Sequence, residues 1–322
     1  MQMNYFRRAL DFGLNKLLES PADLGSRIVA MPRVASQLHA DYEKKKREHA
    51  PHIPLVGESE QAIIDGLRTN GVVVTSLEAL SIPDTESFLE KADELERQHL
   101  PLRRSFQAGA DAIMAHAQLF RWGLHNRLLD IVENYLGVPV GYDGINIFFT
   151  IADRRETGVR RWHRDSEDRK MLKIAVYIHD VDEGSGPFQV LQRRIPKYDH
   201  SASGKFPALT ERELEGALPN FDMARDVVTC MGKRGTVIFS DTASFYHRGM
   251  PAITRDRYAI FFNYIGRVPL RPFRCERSII SRAQINELAK DLPARQRDCV
   301  LWRKALPFVA RILPPAPIYG ST

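Results

Sequence analysis

The sequence lacks several features that define common functional classes. It has no run of about 18 apolar residues, so a transmembrane helix is not expected. Its first residues contain no long apolar core followed by a small-residue cleavage site, so a secretory signal peptide is not expected either. It also has no Gly-rich phosphate-binding loop and no GxSxG motif. A dinucleotide-binding fold or a serine hydrolase therefore has no support in the sequence.

Cysteine is scarce. The chain has three cysteines, Cys230, Cys275 and Cys299, which are far apart in the sequence. An odd number at wide spacing is typical neither of a disulfide framework nor of a CxxC metal site. This usage fits a reducing compartment, and we expect a cytoplasmic protein.

Most of the chain has no excess of positive charge. The formal net charge is +6, but residues 1–50 hold nine Lys/Arg against six Asp/Glu, and residues 271–322 hold ten against four. Solvated helix faces, such as one predicted at residues 43–48, are the simpler explanation. A surface for an anionic partner, such as a phosphate-bearing carrier, is the alternative. Basic residues are not interleaved with aromatic ones on a predicted strand, so we expect no nucleic-acid partner.

The chain is long enough to bury a large core. It has 322 residues, of which 43% are hydrophobic and 27% charged, as in an ordinary globular protein. We expect a single domain with a mainly β core and flanking helices. In this interpretation residues 1–139 are mostly helical with a short strand near 72–75, residues 140–266 form the β core, and residues 267–322 form a helical extension.

Helix signals surround the predicted core. Periodic apolar residues, Gly stops and Ser or Thr caps indicate where helices begin and end. The predicted helices are residues 3–19, 60–67 before Asn70 and Gly71, 84–98 after the N-cap Asp84, 124–136 before Gly137, a short one after the capping box Thr210/Glu213, one after the capping box Ser281/Gln284, and 295–305. The proline-rich residues 314–317 are expected to be extended.

Strand signals fill the middle of the chain. Alternating or continuous apolar residues predict strands at 140–151, 172–181, 187–191 and 235–240, with a turn at 184–187. Residues 193–225 form a long insert, and we interpret it as a substrate lid because long insertions are often binding loops. Asn146 lies between apolar strand residues. It is either a core hydrogen-bonding residue or a ligand of a cosubstrate or substrate.

Two short motifs carry the chemistry. His163 and Asp165 are two residues apart, so in a strand both side chains point to one face. His247 comes much later, shortly before another predicted strand. Two neutral imidazoles and one carboxylate form the facial set that suits Fe(II) in oxygenases. We therefore predict a metal site at His163, Asp165 and His247, and these residues are also the predicted catalytic centre.

A plainer explanation of these residues stays open. His163 and Asp165 can form an ion pair at a strand end, with His247 packed in the core. His179 and Asp180 are also a histidine and an aspartate close together in the sequence. They lie at the end of their predicted strand, and we interpret them as structural residues.

An arginine begins the last apolar run of the core. Arg257 precedes residues 258–262, and a buried guanidinium there could bind a dicarboxylate through two parallel hydrogen bonds. Arg255 is a weaker competitor for that role.

These motifs together resemble the phytanoyl-CoA dioxygenase family. The resemblance lies in Trp162-His163-x-Asp165, residues 174–178 leading to 182–191, then His247 and residues 257–260, and it covers roughly residues 140–266. It implies a double-stranded β-helix, a jelly roll similar to the cupins. It also implies an oxygenase with Fe(II), 2-oxoglutarate and O2, with His163, Asp165 and His247 as iron ligands and Arg257 bound to the 2-oxoglutarate distal carboxylate.

The sequence departs from the family pattern at two places. Residues 191–194 read Leu-Gln-Arg-Arg where the family often has Pro-Gly-Ser-His, and the arginine follows the second histidine one residue sooner. The resemblance implies hydroxylation of a small molecule or natural-product intermediate, with release of succinate and CO2. Desaturation, epoxidation and ring formation are alternative outcomes, and a substrate linked to CoA or a carrier is the second choice.

Two other functions remain as alternatives. One is a cupin-type metal enzyme that does not use 2-oxoglutarate, which would have no need of a buried cation at position 257. The other is a metal-free β-barrel that serves as a binding module, against which the complete His-Asp-His set argues.

Overall fold

Two antiparallel sheets form the centre of the protein. The computed structural model describes residues 21–99, 105–198, 206–314 and 316. The strands are β1 (Val72–Ser76), β2 (Phe106–Gln107), β3 (Val140–Thr150), β4 (Leu172–Tyr177), β5 (Phe188–Leu191), β6 (Val227–Cys230), β7 (Thr236–Asp241), β8 (His247–Gly249) and β9 (Arg257–Gly266). The expectation of a β core with flanking helices is confirmed, and the sheets of that core are antiparallel.

The strands are not paired in chain order. The large sheet has the order β1-β7-β4-β9-β3-β2 and the small sheet the order β6-β5-β8, and all adjacent strands are antiparallel. The first four strands lie in the large sheet, and the chain then crosses between the sheets: β5 and β6 are in the small sheet, β7 in the large one, β8 in the small one and β9 in the large one. One apolar cluster contains residues of both sheets, so the two sheets pack against each other.

Most of the helices cover one face of the large sheet, and the two helices within residues 211–226 pack near the small sheet instead. The helices are α1 (Pro32–His49), α2 (Glu58–Asn70), α3 (Leu77–Leu80), α4 (Thr85–His99), α5 (Ala110–Ala115), α6 (Ala117–Trp122), α7 (Asn126–Leu136), α8 (Glu211–Ala217), α9 (Met223–Asp226), α10 (Arg282–Leu288), α11 (Ala294–Val300) and α12 (Phe308–Ile312). Residues 21–30 are also helical. No described helix is long and apolar enough to cross a membrane.

Strand alternation divides the core into two layers. On β4, Ile174 and Val176 belong to the large cluster that the helices cover. Ala175 and Tyr177 point the other way, into a second cluster shared with Phe188 of the small sheet. Successive side chains on a strand face opposite sides, so the same strand contributes to both layers. The odd-numbered positions of β4 therefore face the space between the sheets.

Two predicted glycine stops and both predicted capping boxes are confirmed. Gly71 and Gly137 end α2 and α7 in the left-handed conformation, with φ of 72° at both. The two predicted capping boxes are formed, with Thr210 and Glu213 at α8 and Ser281 and Gln284 at α10.

Several predicted bounds differ from the structure. The strand predicted at 172–181 ends at Tyr177, because Asp180 bends away to accept a hydrogen bond from Arg234 N at 2.9 Å. The helix predicted at 295–305 is α11 followed by a separate 3-10 turn, Trp302–Ala305. Residues 44–48 are exposed as expected, and α1 buries none of its residues. The helix predicted at 3–19 and most of the tail 314–317 lie outside the described residues.

The turn before β5 needs a glycine. Gly186 has φ of 69°, and a Cβ there would lie 2.7 Å from Ala252 N. We expect Gly186→Ala to lower the free energy of unfolding by about 1–3 kcal/mol, because the added methyl meets backbone in a left-handed conformation. Urea denaturation measures it. Gly216→Ala is the matched control, since Gly216 lies in α8 with nothing within 4 Å of an added Cβ. Equal stability of Gly186→Ala and the wild type would contradict the account of this turn.

Candidate metal centre

Backbone pairing joins the two histidine segments. His163 N donates to His247 O at 3.0 Å, and His247 N donates to His163 O at 2.9 Å. The two imidazole centroids lie 4.3 Å apart. β8 pairs with β5 on its other side, so residue 163 extends the small sheet by one further position. Two segments far apart in the sequence thus meet at one sheet edge.

The carboxylate joins the same cluster. Asp165 N donates to Thr242 O at 2.9 Å, which keeps residues 163–165 extended. Asp165 Oδ2 lies 3.8 Å from His247 Nε2. One ligand atom from each of His163, Asp165 and His247 lies within 4.8 Å of the others. The structure thus brings the three predicted ligands together, while their binding of a metal stays a prediction.

Backbone carbonyls determine which ring nitrogen of each histidine carries the hydrogen. His163 Nδ1 lies 2.8 Å from Arg161 O, and His247 Nδ1 lies 3.2 Å from Phe245 O. A carbonyl can only accept, so each Nδ1 carries the hydrogen and each Nε2 keeps its lone pair. Burial lowers the pKa of His163, and burial lowers the pKa of His247 well below the usual value. Both rings are therefore neutral near pH 7 and able to bind a metal.

A lysine that the sequence analysis missed contacts the carboxylate. Lys173 Nζ lies 2.7 Å from Asp165 Oδ2. Burial by itself would raise the pKa of Asp165, but Lys173, followed by His247 and His163, holds that pKa well below its usual range. A signal existed in the sequence: Lys173 shares the face of Ala175 and Tyr177 on an apolar strand.

The register of β9 places Arg257 on the face that points between the sheets. Arg257 faces Thr150 across the β3–β9 ladder, and Ala259 and Phe261, two and four residues on, belong to or pack against the inner cluster. The residue is 5% exposed. Its Nη1 has no hydrogen-bond partner, and neither Asp nor Glu forms an ion pair with it among the described residues. Burial lowers the pKa of Arg257; Tyr177 partly offsets that effect, and no Asp or Glu does so.

Gly249 makes room for this guanidinium. A Cβ at Gly249 would lie 2.5 Å from Arg257 Nη2. Gly249 is two residues after His247 on β8, so the guanidinium lies beside the strand that holds one predicted ligand. The competing Arg255 is different, because its side chain is 65% exposed and its Nη1 lies 3.0 Å from Asp182 Oδ2 at the surface.

Asn146 has protein partners on both ends of its amide. Its Nδ2 donates to Arg277 O at 3.3 Å, and its Oδ1 accepts from Asn263 Nδ2 at 2.7 Å. These bonds account for a polar side chain in the core, and its predicted contact with a cosubstrate stays a prediction. His179 and Asp180 have the structural role expected of them, since they pair with Glu96 at 2.9 Å and Lys233 at 2.9 Å.

Arg248 connects the insert to the metal strand. It is 2% exposed, and its Nε donates to Gln189 Oε1 at 2.8 Å. Its other nitrogens pair with Glu156 and Glu211, and its guanidinium lies 4.6 Å from the centroid of Trp162. Glu211 begins α8 in the predicted insert, so Arg248 ties that insert to β8. This role of Arg248 was not predictable from the sequence, because its partners lie in three separate segments.

The insert packs beside the histidines. Its apolar residues form a cluster with Trp162 and Tyr246, the neighbours of His163 and His247. Trp162 and Leu209 also exchange two backbone hydrogen bonds of 2.8 Å. Residues 199–205, including the segment 201–205 in the middle of the insert, lie outside the described residues.

The donor set fits a divalent transition metal. Two neutral imidazoles with available Nε2 atoms and one ionised carboxylate suit Fe(II), and three protein ligands leave further positions for other molecules. The unpaired guanidinium of Arg257 fits an anionic group. These residues could hold an iron ion with a dicarboxylate.

Comparisons with known proteins gave structural matches alone. No protein-family model matches the chain, and no curated protein sequence matches it. Among solved structures, HygX from Streptomyces hygroscopicus with nickel and 2-oxoglutarate bound is 18% identical, with 66% of this chain and 88% of that chain covered and a TM-score of 0.45. EctD from S. alaskensis with bound Fe is 18% identical, with 67% and 80% covered and a TM-score of 0.46.

A third similar structure is the non-heme alpha ketoglutarate dependent epimerase SnoN from nogalamycin biosynthesis. It is 16% identical, with 65% of this chain and 83% of that chain covered and a TM-score of 0.43. Since all three TM-scores are below 0.5, the functional proposal rests on the geometry of the site.

Removal of Arg248 should loosen the insert. We expect Arg248→Met to lower the free energy of unfolding by about 1–3 kcal/mol, since it leaves the buried Gln189 Oε1 without its donor and removes the ion pairs with Glu156 and Glu211. Amide hydrogen exchange in α8 should become faster. Arg212→Met is the matched control, because Arg212 is an exposed residue of the same helix. Unchanged exchange in α8 of Arg248→Met would show that Arg248 does not hold the insert.

Proposed function

We propose that the chain is an Fe(II)- and 2-oxoglutarate-dependent oxygenase. One combination carries this proposal. His163, Asp165 and His247 offer three ligand atoms within 4.8 Å of one another, and beside them Arg257 is buried without an acidic partner among the described residues. An unpaired buried cation is strongly disfavoured, so the guanidinium implies an anion that binds there. A dicarboxylate cosubstrate that also reaches the metal would supply it.

Each residue has a definite part in this proposal. His163 and His247 present Nε2 because backbone carbonyls hold their Nδ1 hydrogens, and Asp165 stays ionised. Arg257 would donate two parallel hydrogen bonds to the distal carboxylate of the cosubstrate. When bound, Fe(II) with 2-oxoglutarate and O2 supplies an oxidant strong enough to break a C–H bond, with succinate and CO2 as co-products.

The arrangement of the strands supports the proposed fold. Two antiparallel sheets pack against each other, and from β4 to β9 the chain crosses repeatedly between them. A double-stranded β-helix has such crossings, with its site in the space between the sheets. We assign the chain to that fold and to an oxygenase family similar to phytanoyl-CoA dioxygenase.

Hydroxylation of a small molecule is the proposed reaction. Asp165 completes the ligand set, and a complete set favours transfer of oxygen to the substrate. The insert at 193–225 packs against Trp162 next to His163, which supports its role as a lid over the substrate. Asn146, at 8% exposure on the inner face of β3, is a proposed contact of cosubstrate or substrate.

The metal-only cupin enzyme is the less favoured function. Such a site needs the three ligands but no buried guanidinium. In that case the buried charge of Arg257 would destabilise the fold, with no bound anion to offset it. A metal-free binding module is also less favoured. It would need neither two histidines with available Nε2 lone pairs nor an ionised Asp165 beside them.

The metal site is tested directly by titration. We expect the chelator-treated protein to bind one Fe(II) per chain under anaerobic conditions. His163→Ala and His247→Ala should each abolish retention of the ion, because each removes one of three protein ligands. His39→Ala, an exposed histidine on α1, is the control and should bind iron like the wild type. Wild-type binding in both site variants would exclude the assignment.

The cosubstrate site is tested by two neighbouring arginines. We expect Arg257→Ala to weaken 2-oxoglutarate binding by about 2–4 kcal/mol while iron binding is nearly intact, since one member of a buried charge pair is lost. Arg255→Ala is the control and should bind 2-oxoglutarate normally. Calorimetric titration of both iron-loaded variants measures the effect. If neither variant loses affinity, the metal-only enzyme becomes the better proposal.

A further inference from the structure

Lys173 and a metal ion would use the same carboxylate oxygen. Lys173 Nζ is 2.7 Å from Asp165 Oδ2, and that oxygen is also the one that lies 3.8 Å from His247 Nε2. An ion bound by Asp165 and His247 would therefore approach the oxygen that forms the ion pair with the ammonium. Two cations at one carboxylate repel each other, and the repulsion is strong between partly buried charges a few Å apart.

The position of Lys173 on β4 keeps its side chain in the site. It shares the inner face with Ala175 and Tyr177, and its side chain is 20% exposed. The stem therefore runs between the two sheets toward Asp165. A lysine held in this way is an internal counter-ion of the ligand carboxylate.

Two unpaired oxygens flank Lys173 on the neighbouring strands. Asn263 is directly opposite Lys173 in the β4–β9 ladder, and Ser240 is directly opposite it in the β4–β7 ladder. Residues directly opposite in a ladder have side chains on the same face and within contact of each other. Asn263 Oδ1 and Ser240 Oγ are buried and have no hydrogen-bond partner among the described residues.

The geometry of Asn263 keeps that oxygen available. Its Nδ2 donates to Asn146 Oδ1 at 2.7 Å and to Gly144 O at 3.1 Å. Both amide hydrogens are used, so the amide cannot flip without loss of two bonds, and Oδ1 stays an unused acceptor. Lys173 thus has a second set of acceptors beside the one that a metal would take.

From this arrangement we propose that Lys173 is an exchangeable counter-cation of the metal centre. It holds Asp165 through Oδ2 until a divalent ion takes that oxygen, and its ammonium then moves to Asn263 Oδ1 and Ser240 Oγ. This inference rests on the proposed metal site. Lys173 is a positioning residue in this scheme: it keeps the carboxylate in place and ionised, and it lowers the affinity for the metal.

Removal of the lysine charge should therefore tighten metal binding. We expect Lys173→Met to bind Fe(II) about tenfold more tightly or better than the wild type in anaerobic calorimetric titrations, because the competing cation is gone. Lys173→Arg keeps the charge and should not gain affinity. Lys233→Met is the matched control, since Lys233 pairs with Asp180 at 2.9 Å on the surface, and its affinity should be unchanged.

The melting temperature with and without Fe(II) distinguishes the proposed role of Lys173 from a purely structural one. Without added metal, Lys173→Met should melt below the wild type, because Asp165 loses its counter-ion. With Fe(II) added, its melting temperature should rise more than that of the wild type, since tighter binding stabilises the folded state further. If Lys173→Met does not fold, Lys173→Gln decides, because the amide can still donate to Asp165 without a charge.

The outcomes separate this inference from the proposed function. Equal or weaker Fe(II) binding by the neutral variants, with normal binding by the wild type, would overturn the role of Lys173 alone. It would show that Lys173 orients Asp165 for the metal. A wild type that binds no Fe(II) would overturn the metal site and the exchange together.

Discussion

Two backbone hydrogen bonds between His163 and His247 are the contact on which the site depends. They place His163 beside β8 at the edge of the small sheet. Because residues i and i+2 of an extended segment share a face, fixing His163 also fixes Asp165. The residues on either side bond to other segments, Trp162 to Leu209 and Asp165 to Thr242, and these bonds hold the segment in place. The cluster is therefore a product of sheet geometry, with few demands on loop structure.

The buried cations around this edge differ in how their charge is compensated. Arg248 has Gln189, Glu156, Glu211 and the ring of Trp162 as partners, which is typical of a structural residue. Lys173 has Asp165, which is itself a predicted ligand. Arg257 has no acidic partner among the described residues. The degree of charge compensation thus distinguishes a residue that stabilises the fold from the two residues proposed to act with a metal or a cosubstrate.

Short-range patterns were predictable from the sequence, and long-range partners were not. The i, i+2 spacing placed His163 and Asp165 on one face, the capping boxes located α8 and α10, and the register of β9 placed Arg257 inside. Lys173 was not predicted to belong to the site, because a lysine near a strand end is normally solvated. The role of Arg248 depends on Glu156 and Glu211, which only the folded chain brings together. The bend after Tyr177 likewise depends on a side chain, Arg234, from a distant turn.

Gly249 links the proposed metal and cosubstrate sites through one short strand, yet it allows one site to be lost without the other. β8 is three residues long, and it carries His247 at one end and, at the other, the missing side chain that leaves room for Arg257. A lineage that acquired any larger residue at position 249 would displace the guanidinium while the histidine stayed in place. Descendants that dispense with the dicarboxylate could therefore arise through this one codon and still keep a complete His-Asp-His set.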